Sequence, residues 1–177
     1  MLVFIMKFIG GILKELNSQT NPKQIGVGAA LGAIIGLTPF WCLHNLVIFA
    51  IIMLVSVSSG AAAVFAIIFS FVAFAFDPLA NAIGYWLLVD VNALQPFWAK
   101  IYNMPFIPFT KFNNTLVLGS LVISLILFYP VYRLTIYGVN EYRRTLKDKI
   151  SKIKFFQILR ATKFVQWYMQ VSGMVQQ

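Results

Sequence analysis

Charge is what this sequence has least of. Only 11% of its 177 residues are Asp, Glu, Lys or Arg, and 60% are hydrophobic; soluble domains carry roughly 25% charged residues. A cytosolic globule is thereby excluded, and so are a disordered chain and a fibrous repeat. The composition specifies an integral membrane protein. The single cysteine, Cys42, excludes a disulfide framework and a cysteine-based zinc site. One histidine, His44, and five acidic residues leave little for a metal centre or for acid–base catalysis. There is no Ser/His/Asp arrangement, no phosphate-binding glycine loop and no carboxylate pair, since an apolar helix of ~18 Å separates Asp77 from Asp90. The sequence therefore predicts no enzyme, no metal and no cofactor.

The charge that is present is unevenly placed. The net charge is +9, and nine of the 14 basic residues lie between Arg133 and Lys163. This is a basic tail on an apolar body. Positive charge beside a transmembrane end marks the cytoplasmic side, so the tail is expected there. Lys7, Lys14 and Lys23 favour a cytoplasmic N-terminus as well. Two cytoplasmic ends require an even number of full crossings. Topology accounts for the charge, and nucleic-acid binding is not expected.

Residues 1–20 have no charged region ahead of the apolar stretch and no small-residue cleavage site, which argues against a signal peptide. Leu2, Ile5, Met6, Ile9, Leu13 and Leu16 fall at helical spacing, with Lys7 and Lys14 off that stripe. The pattern predicts a short amphipathic helix, lying either in the membrane interface or on the protein itself.

Residues 21–90 form the expected membrane core. From Gln24 to Phe76 there are 53 residues without Asp, Glu, Lys or Arg. Thr38-Pro39, the polar run Ser56 to Gly60, and Asp77-Pro78 divide the core into pieces at 22–37, 39–55, 60–76 and 78–89. The first is ~24 Å long as a helix and the last ~18 Å, short of a ~30 Å hydrocarbon core. Short, proline-interrupted apolar segments predict broken or re-entrant helices.

Residues 91–114 mix Phe97, Trp98, Tyr102, Phe106, Phe109 and Phe112 with Lys100, Lys111 and asparagines, and Pro96, Pro105 and Pro108 forbid one long helix. An interfacial loop with one short helix near 94–103 is expected. Residues 115–133 read as a plain transmembrane helix, uncharged until Arg133. In the tail, residues 134–177, Tyr142, Leu146, Ile150 and Ile153 step along one helical face. Arg143, Arg144, Lys147, Lys152 and Lys154 are candidate contacts for anionic lipid, the alternative being a solvated segment that only sets orientation.

Within the core, Gly28, Gly32 and Gly36 recur every fourth residue and place small side chains on one helix face. The structural reading is close helix packing; the functional one is a sliding contact or a lipid passage. A polar residue precedes proline at Asn21-Pro22, Thr38-Pro39 and Asp77-Pro78, and each pair predicts a helix start. Two such starts, at Thr38 and Asp77, would face each other as an anion seat inside the membrane, with Pro39, Pro78 and Asn81 around it and a lipid headgroup as candidate occupant. Otherwise Thr38 and Asp77 simply cap their helices. An internal repeat relating the two breaks, 39 residues apart, is a further idea that side-chain identity hardly supports. Asp77 is a costly carboxylate at membrane depth, with Asn92 as a further polar neighbour in sequence. His44 and Asn45 are candidate proton or hydrogen-bond groups, against a packing role.

The run Asn21 to Phe40, N-P-x-x-x-G-x-G-x-A-x-G-x-x-x-G-x-x-P-F, resembles a bacterial inner-membrane family known as domain of unknown function 2062. The family carries a second Asn-Pro pair where this chain has Asp77-Pro78, and often an Arg and Asn where Ser56 and Ser58 stand. Phe112 to Ser120, F-N-N-T-L-V-L-G-S, resembles a subgroup encoded beside a much larger envelope protein. That partner looks like the long lipid-transfer proteins that bridge inner and outer membranes. The resemblance implies an inner-membrane protein and a partner, without a mechanism.

The expected fold is all-α and polytopic, with broken or re-entrant helices and a basic amphipathic cytoplasmic C-terminal helix. The expected function is a non-enzymatic subunit of the bacterial inner membrane. It anchors, and loads phospholipid into, a large periplasmic lipid-transfer bridge protein. The alternatives are a proton-coupled small-solute or ion transporter or channel, using Asp77 and His44, and a passive scaffold. A homo-oligomer is compatible with each.

Overall fold

The computed structural model describes residues 8–12, 15, 16, 18, 20–105 and 107–146, and every regular element among them is helical. The chain divides into two units, residues 20–136 and the two ends, 1–19 with 137–177. The larger unit holds α1 (Pro22–Leu37), α2 (Leu43–Leu54), α3 (Ser59–Tyr85), α4 (Gln95–Tyr102) and most of α5 (Thr115–Glu141).

α1 begins where the sequence predicts. Pro22 occupies the first turn, where its missing N–H costs nothing, and the Asn21 side chain accepts from the Lys23 amide at 2.9 Å. The helix is the core of the unit: Ala29, Ala30 and Ala33 meet Val131, Leu127 and Phe128 of α5, and Phe65 and Phe69 of α3. Leu31, Ile34 and Ile35 pack with Ile48 and Ile52 of α2 and with Leu121. A helix this apolar on all sides is stable only when enclosed.

The small-residue face decides which neighbour comes closest. A Cβ added to Gly28, Gly32 or Gly36 would fall onto the backbone carbonyl of Ser58, Ala62 or Ala66. Each step of four along α1 matches a step of four along α3, so the two helices run parallel and α2 is the return leg between them. The Ser58 amide, at the start of α3, donates to the Gln24 carbonyl at 3.2 Å. α5 runs antiparallel to α3, its opening residues equally tight: a Cβ on Gly84 would meet the Thr115 carbonyl, and one on Gly119 the Ala80 carbonyl.

Three expectations need correction. Asp77-Pro78 starts no helix; both lie inside the unbroken α3. Pro78 has no N–H for the Phe74 carbonyl, but in a segment this apolar the loss of one backbone bond does not outweigh the bonds on either side. Thr38-Pro39 is likewise a helix end: Thr38 is the C-cap of α1, in extended conformation, and α2 begins only at Leu43. The residue before a proline is pushed out of the helical region, which ends α1 at Leu37. The helix expected over 115–133 continues through Pro130 to Glu141, and a π-helical turn, Tyr142–Leu146, follows it, so the tail's first residues extend α5.

α3 closes in a π-helical turn, Trp86–Asp90, followed by the short 3₁₀ turn Asn92–Leu94 and then α4. The Trp98 indole N–H donates to the Leu87 carbonyl at 2.9 Å, one of the carbonyls the helix end leaves open. Its ring lies 5.7 Å from Phe112 and 5.0 Å from Phe97, centroid to centroid. The short helix expected near 94–103 is α4, held to the end of α3 by these contacts.

Two helical stretches, Ser59–Asp90 and Thr115–Thr145, are long and apolar enough to cross a membrane. The outer surface is apolar too. Trp41, Met53 and Leu54 are 82%, 81% and 86% exposed, and Phe71, Phe74 and Ile126 are also exposed. Exposed apolar area on this scale marks an interaction surface, for a membrane or for another protein.

Candidate functional site

The polar residues singled out in the sequence gather in two places. One is the tip of the hairpin formed by α1 and α2. There Thr38 and Asn45 are 5% and 3% exposed. The Thr38 hydroxyl lies 2.8 Å from the Ile34 carbonyl and 3.0 Å from Asn45 Oδ1, so its one proton is shared between two acceptors. Asn45 Nδ2 donates to the Pro39 carbonyl at 2.9 Å and to the Phe40 carbonyl at 3.3 Å. Two carbonyls facing one amide nitrogen fix the amide's orientation, because the flipped form would set oxygen against oxygen. The Cys42 amide closes the turn on Phe40 at 3.0 Å. The chain thus supplies donors for the Pro39 and Phe40 carbonyls of its own tip. His44, next in sequence, has an enclosed Nε2 that no described residue engages. Cys42 is buried as a free thiol.

The second place is on α3. Asp77 and Asn81 are one turn apart, and Asn81 Oδ1 accepts from the Thr115 hydroxyl at the start of α5. Asn114 caps α5 by accepting from the amides of Leu116 at 2.9 Å and Val117 at 3.3 Å. Asp77 is half-buried, and no hydrogen bond or ion pair reaches it from a described residue. Gly36 packs at the level of Ala66 and Ser70; Asp77 lies seven residues farther along α3, ~10 Å. The two helix starts expected to face each other do not exist, so an anion seat of that construction does not form. Pro39 and Pro78 belong to different places, a turn and a helix interior.

The basic residues divide as well. Arg143 donates from Nε to the Leu16 carbonyl at 3.1 Å and from Nη2 to the Ser18 carbonyl at 2.8 Å. Arg144 pairs with Glu141 at 3.1 Å on the surface. Lys147, Lys152 and Lys154 lie outside the described residues. Among the described residues no three His, Cys, Asp or Glu side chains come together as a metal site.

Sequence reasoning missed the contact between α3 and α5. Its signals were present, Ala80-x-x-x-Gly84 and Thr115-x-x-x-Gly119, both at the spacing that drew notice to Gly28 and Gly32.

A family model described as "Uncharacterized protein conserved in bacteria (DUF2062)" matches residues 7–147, which include both polar places and all five helices. The chain belongs to the DUF2062 family. A relative in Treponema pallidum (strain Nichols), an uncharacterized protein, is 28% identical over 156 residues, covering 88% of this chain and 96% of its own. No solved structure matches this DUF2062 protein.

Proposed function

We propose that this DUF2062 protein is a non-enzymatic subunit of the bacterial inner membrane that anchors, and loads phospholipid into, a large periplasmic lipid-transfer protein. In this reading α3 and the stretch Thr115–Ile136 of α5, ~40 and ~33 Å long, cross the bilayer. The α1–α2 hairpin enters it from the cytoplasmic side and returns. Both ends of the chain then lie in the cytoplasm, as the basic residues from Arg133 onward favour.

The observation that carries the embedding is the hairpin tip. A turn within hydrocarbon has no water to satisfy its backbone, and lipid-exposed irregular structure is tolerated only where the chain supplies the partners. The Asn45 amide is that partner for the Pro39 and Phe40 carbonyls, while Phe40 and Trp41 beside it are largely exposed. The lipid-transfer partner rests on the resemblance carried by Phe112 to Ser120.

The test is affinity purification of the tagged protein from its native membranes in mild detergent, with mass spectrometry of what accompanies it. A stoichiometric large periplasmic protein is the expected result; recovery of this chain alone overturns the anchoring role. A second reading, a proton-coupled transporter, draws on the enclosed and unengaged Nε2 of His44. It predicts solute uptake that depends on pH and is lost in His44→Gln.

A further inference from the structure

The hairpin gives the protein an apolar belt of two heights. On one side stands α3, 27 residues and ~40 Å long, with Phe71, Phe74 and Leu79 exposed along it. On another stands α2, 12 residues and ~18 Å, exposing Leu46, Val47, Phe49, Met53 and Leu54. Polar groups bound this short strip at both ends. At its C-terminal end the chain turns through the exposed Ser56 and the buried Ser58. At its other end the turn Ile107–Thr110 lies beside α2, and Lys111 follows that turn directly. Lys111 is exposed, so its ammonium seeks water or lipid headgroups.

Lipid covers this face by the same reasoning that embeds the hairpin: no charged side chain occurs from Gln24 to Phe76. A bilayer of ~30 Å cannot match an apolar strip of ~18 Å without thinning or tilting the protein. Tilt does not remove the mismatch, because the tall α3 side belongs to the same rigid packing through Gly28, Gly32 and Gly36. The barrier to moving a polar headgroup between leaflets is the stretch of hydrocarbon it must cross without hydrogen-bonding partners. Along α2 that stretch is shortest.

We propose that the α2 face thins the bilayer and lets phospholipids pass between leaflets, which makes this protein a lipid scramblase with little regard for headgroup. The inference rests on the embedded, re-entrant reading above, but not on the envelope partner.

The experiment places the purified full-length protein in vesicles of phosphatidylethanolamine and phosphatidylglycerol with a trace of NBD-labelled phospholipid, and adds dithionite outside. Vesicles without protein lose only the outer-leaflet share of fluorescence; with protein, nearly all is expected to bleach, with labelled ethanolamine and glycerol lipids alike. Lengthening the strip in Ser56→Leu/Lys111→Met is expected to slow bleaching about three- to tenfold, from the cost of mismatch per ångström converted to a rate. Bleaching limited to the outer-leaflet share, or a double variant as fast as the parent, overturns the proposal. So does bleaching of a trapped water-soluble NBD sugar, which would mean an aqueous pore. In the same vesicles, a variant retaining only Trp41 among its tryptophans is probed with lipids brominated at known depths. Thinning brings the headgroups down to the tip, so quenching of Trp41 by the shallow bromines together with scrambling is the expected result. Deep quenching with no scrambling sinks this inference alone, and no quenching at any depth sinks the embedded reading with it.

Discussion

The Thr38 hydroxyl stands 3.0 Å from Asn45 Oδ1, and the same Asn45 amide holds the Pro39 carbonyl at 2.9 Å. One side chain on α2 thereby completes the end of α1. A carbonyl enclosed without its donor costs about 1–3 kcal/mol, whereas one neutral hydrogen bond contributes nearer 1 kcal/mol. Asn45→Leu should therefore lower the thermal unfolding midpoint in detergent well beyond Thr38→Val, since the Thr38 amide still reaches Ile34 at 3.1 Å after the hydroxyl is gone. An Asn45→Leu protein as stable as the parent would mean that water, not the amide, serves the tip.

The glycines separate by what surrounds them. At Gly32 and Gly119 even a methyl group meets a backbone carbonyl, of Ala62 and Ala80, and neither carbonyl can move without its helix. Gly32→Ala and Gly119→Ala should each destabilise by about 1–3 kcal/mol or more, the cost of overpacking. Gly138, also inside α5, has no atom of a described residue within 4 Å of its added Cβ. Gly138→Ala should stabilise by roughly 0.5–1 kcal/mol through helix propensity alone. Detergent-resistant unfolding of the three variants checks the opposite signs together.

These contacts mark how far the sequence could be read. The bounds of α1 were legible because Asn21-Pro22 and Thr38-Pro39 constrain the backbone locally, at either end of one apolar run. Asp77-Pro78 carries the same local signal and yet lies inside α3, because proline preference is weaker than the bonds of a long apolar helix that lipid or protein encloses. The spacing of Gly28, Gly32 and Gly36 announced a close approach but not its partner. That partner is set by parallel packing across a 30-residue offset, which no periodicity encodes. The pairing of Asn45 with the hairpin tip was out of reach for a similar reason: it depends on α2 starting at Leu43 and not at Pro39.

Arg143 illustrates how a residue in a basic run can have a local task. Its Nε and Nη2 hold the carbonyls of Leu16 and Ser18 in a two-pronged contact that the point charge of lysine does not reproduce. Arg143→Ala and Arg143→Lys should both raise amide hydrogen exchange around Leu16 and Ser18 by about tenfold, the loss of a charged hydrogen bond worth ~1.5 kcal/mol or more. Arg144→Ala should leave that exchange unchanged, since Arg144 pairs only with the surface carboxylate of Glu141 in the described contacts. Equal exchange in Arg143→Ala and the parent would return Arg143 to the candidates for anionic-lipid contact.

Asp77 has lost its structural explanation. As a helix cap it would have had a role in folding, but α3 runs through it from Ser59 to Tyr85, and no described residue bonds its carboxylate. A half-buried acid in an apolar helix is costly to keep, which makes Asp77 a candidate for function. Asp77→Asn, close in shape and without the charge, should insert normally and unfold within about 0.5 kcal/mol of the parent, as substitutions that break no contact do. It should nevertheless impair the envelope, read as sensitivity of the cells to detergent and to large antibiotics. Asn81→Ala makes the contrasting case, because it removes the acceptor of the Thr115 hydroxyl and should lower stability first. If Asp77→Asn cells are as resistant as the parent, Asp77 is not part of the working site, and the polar groups that remain to be tested are those of the hairpin tip.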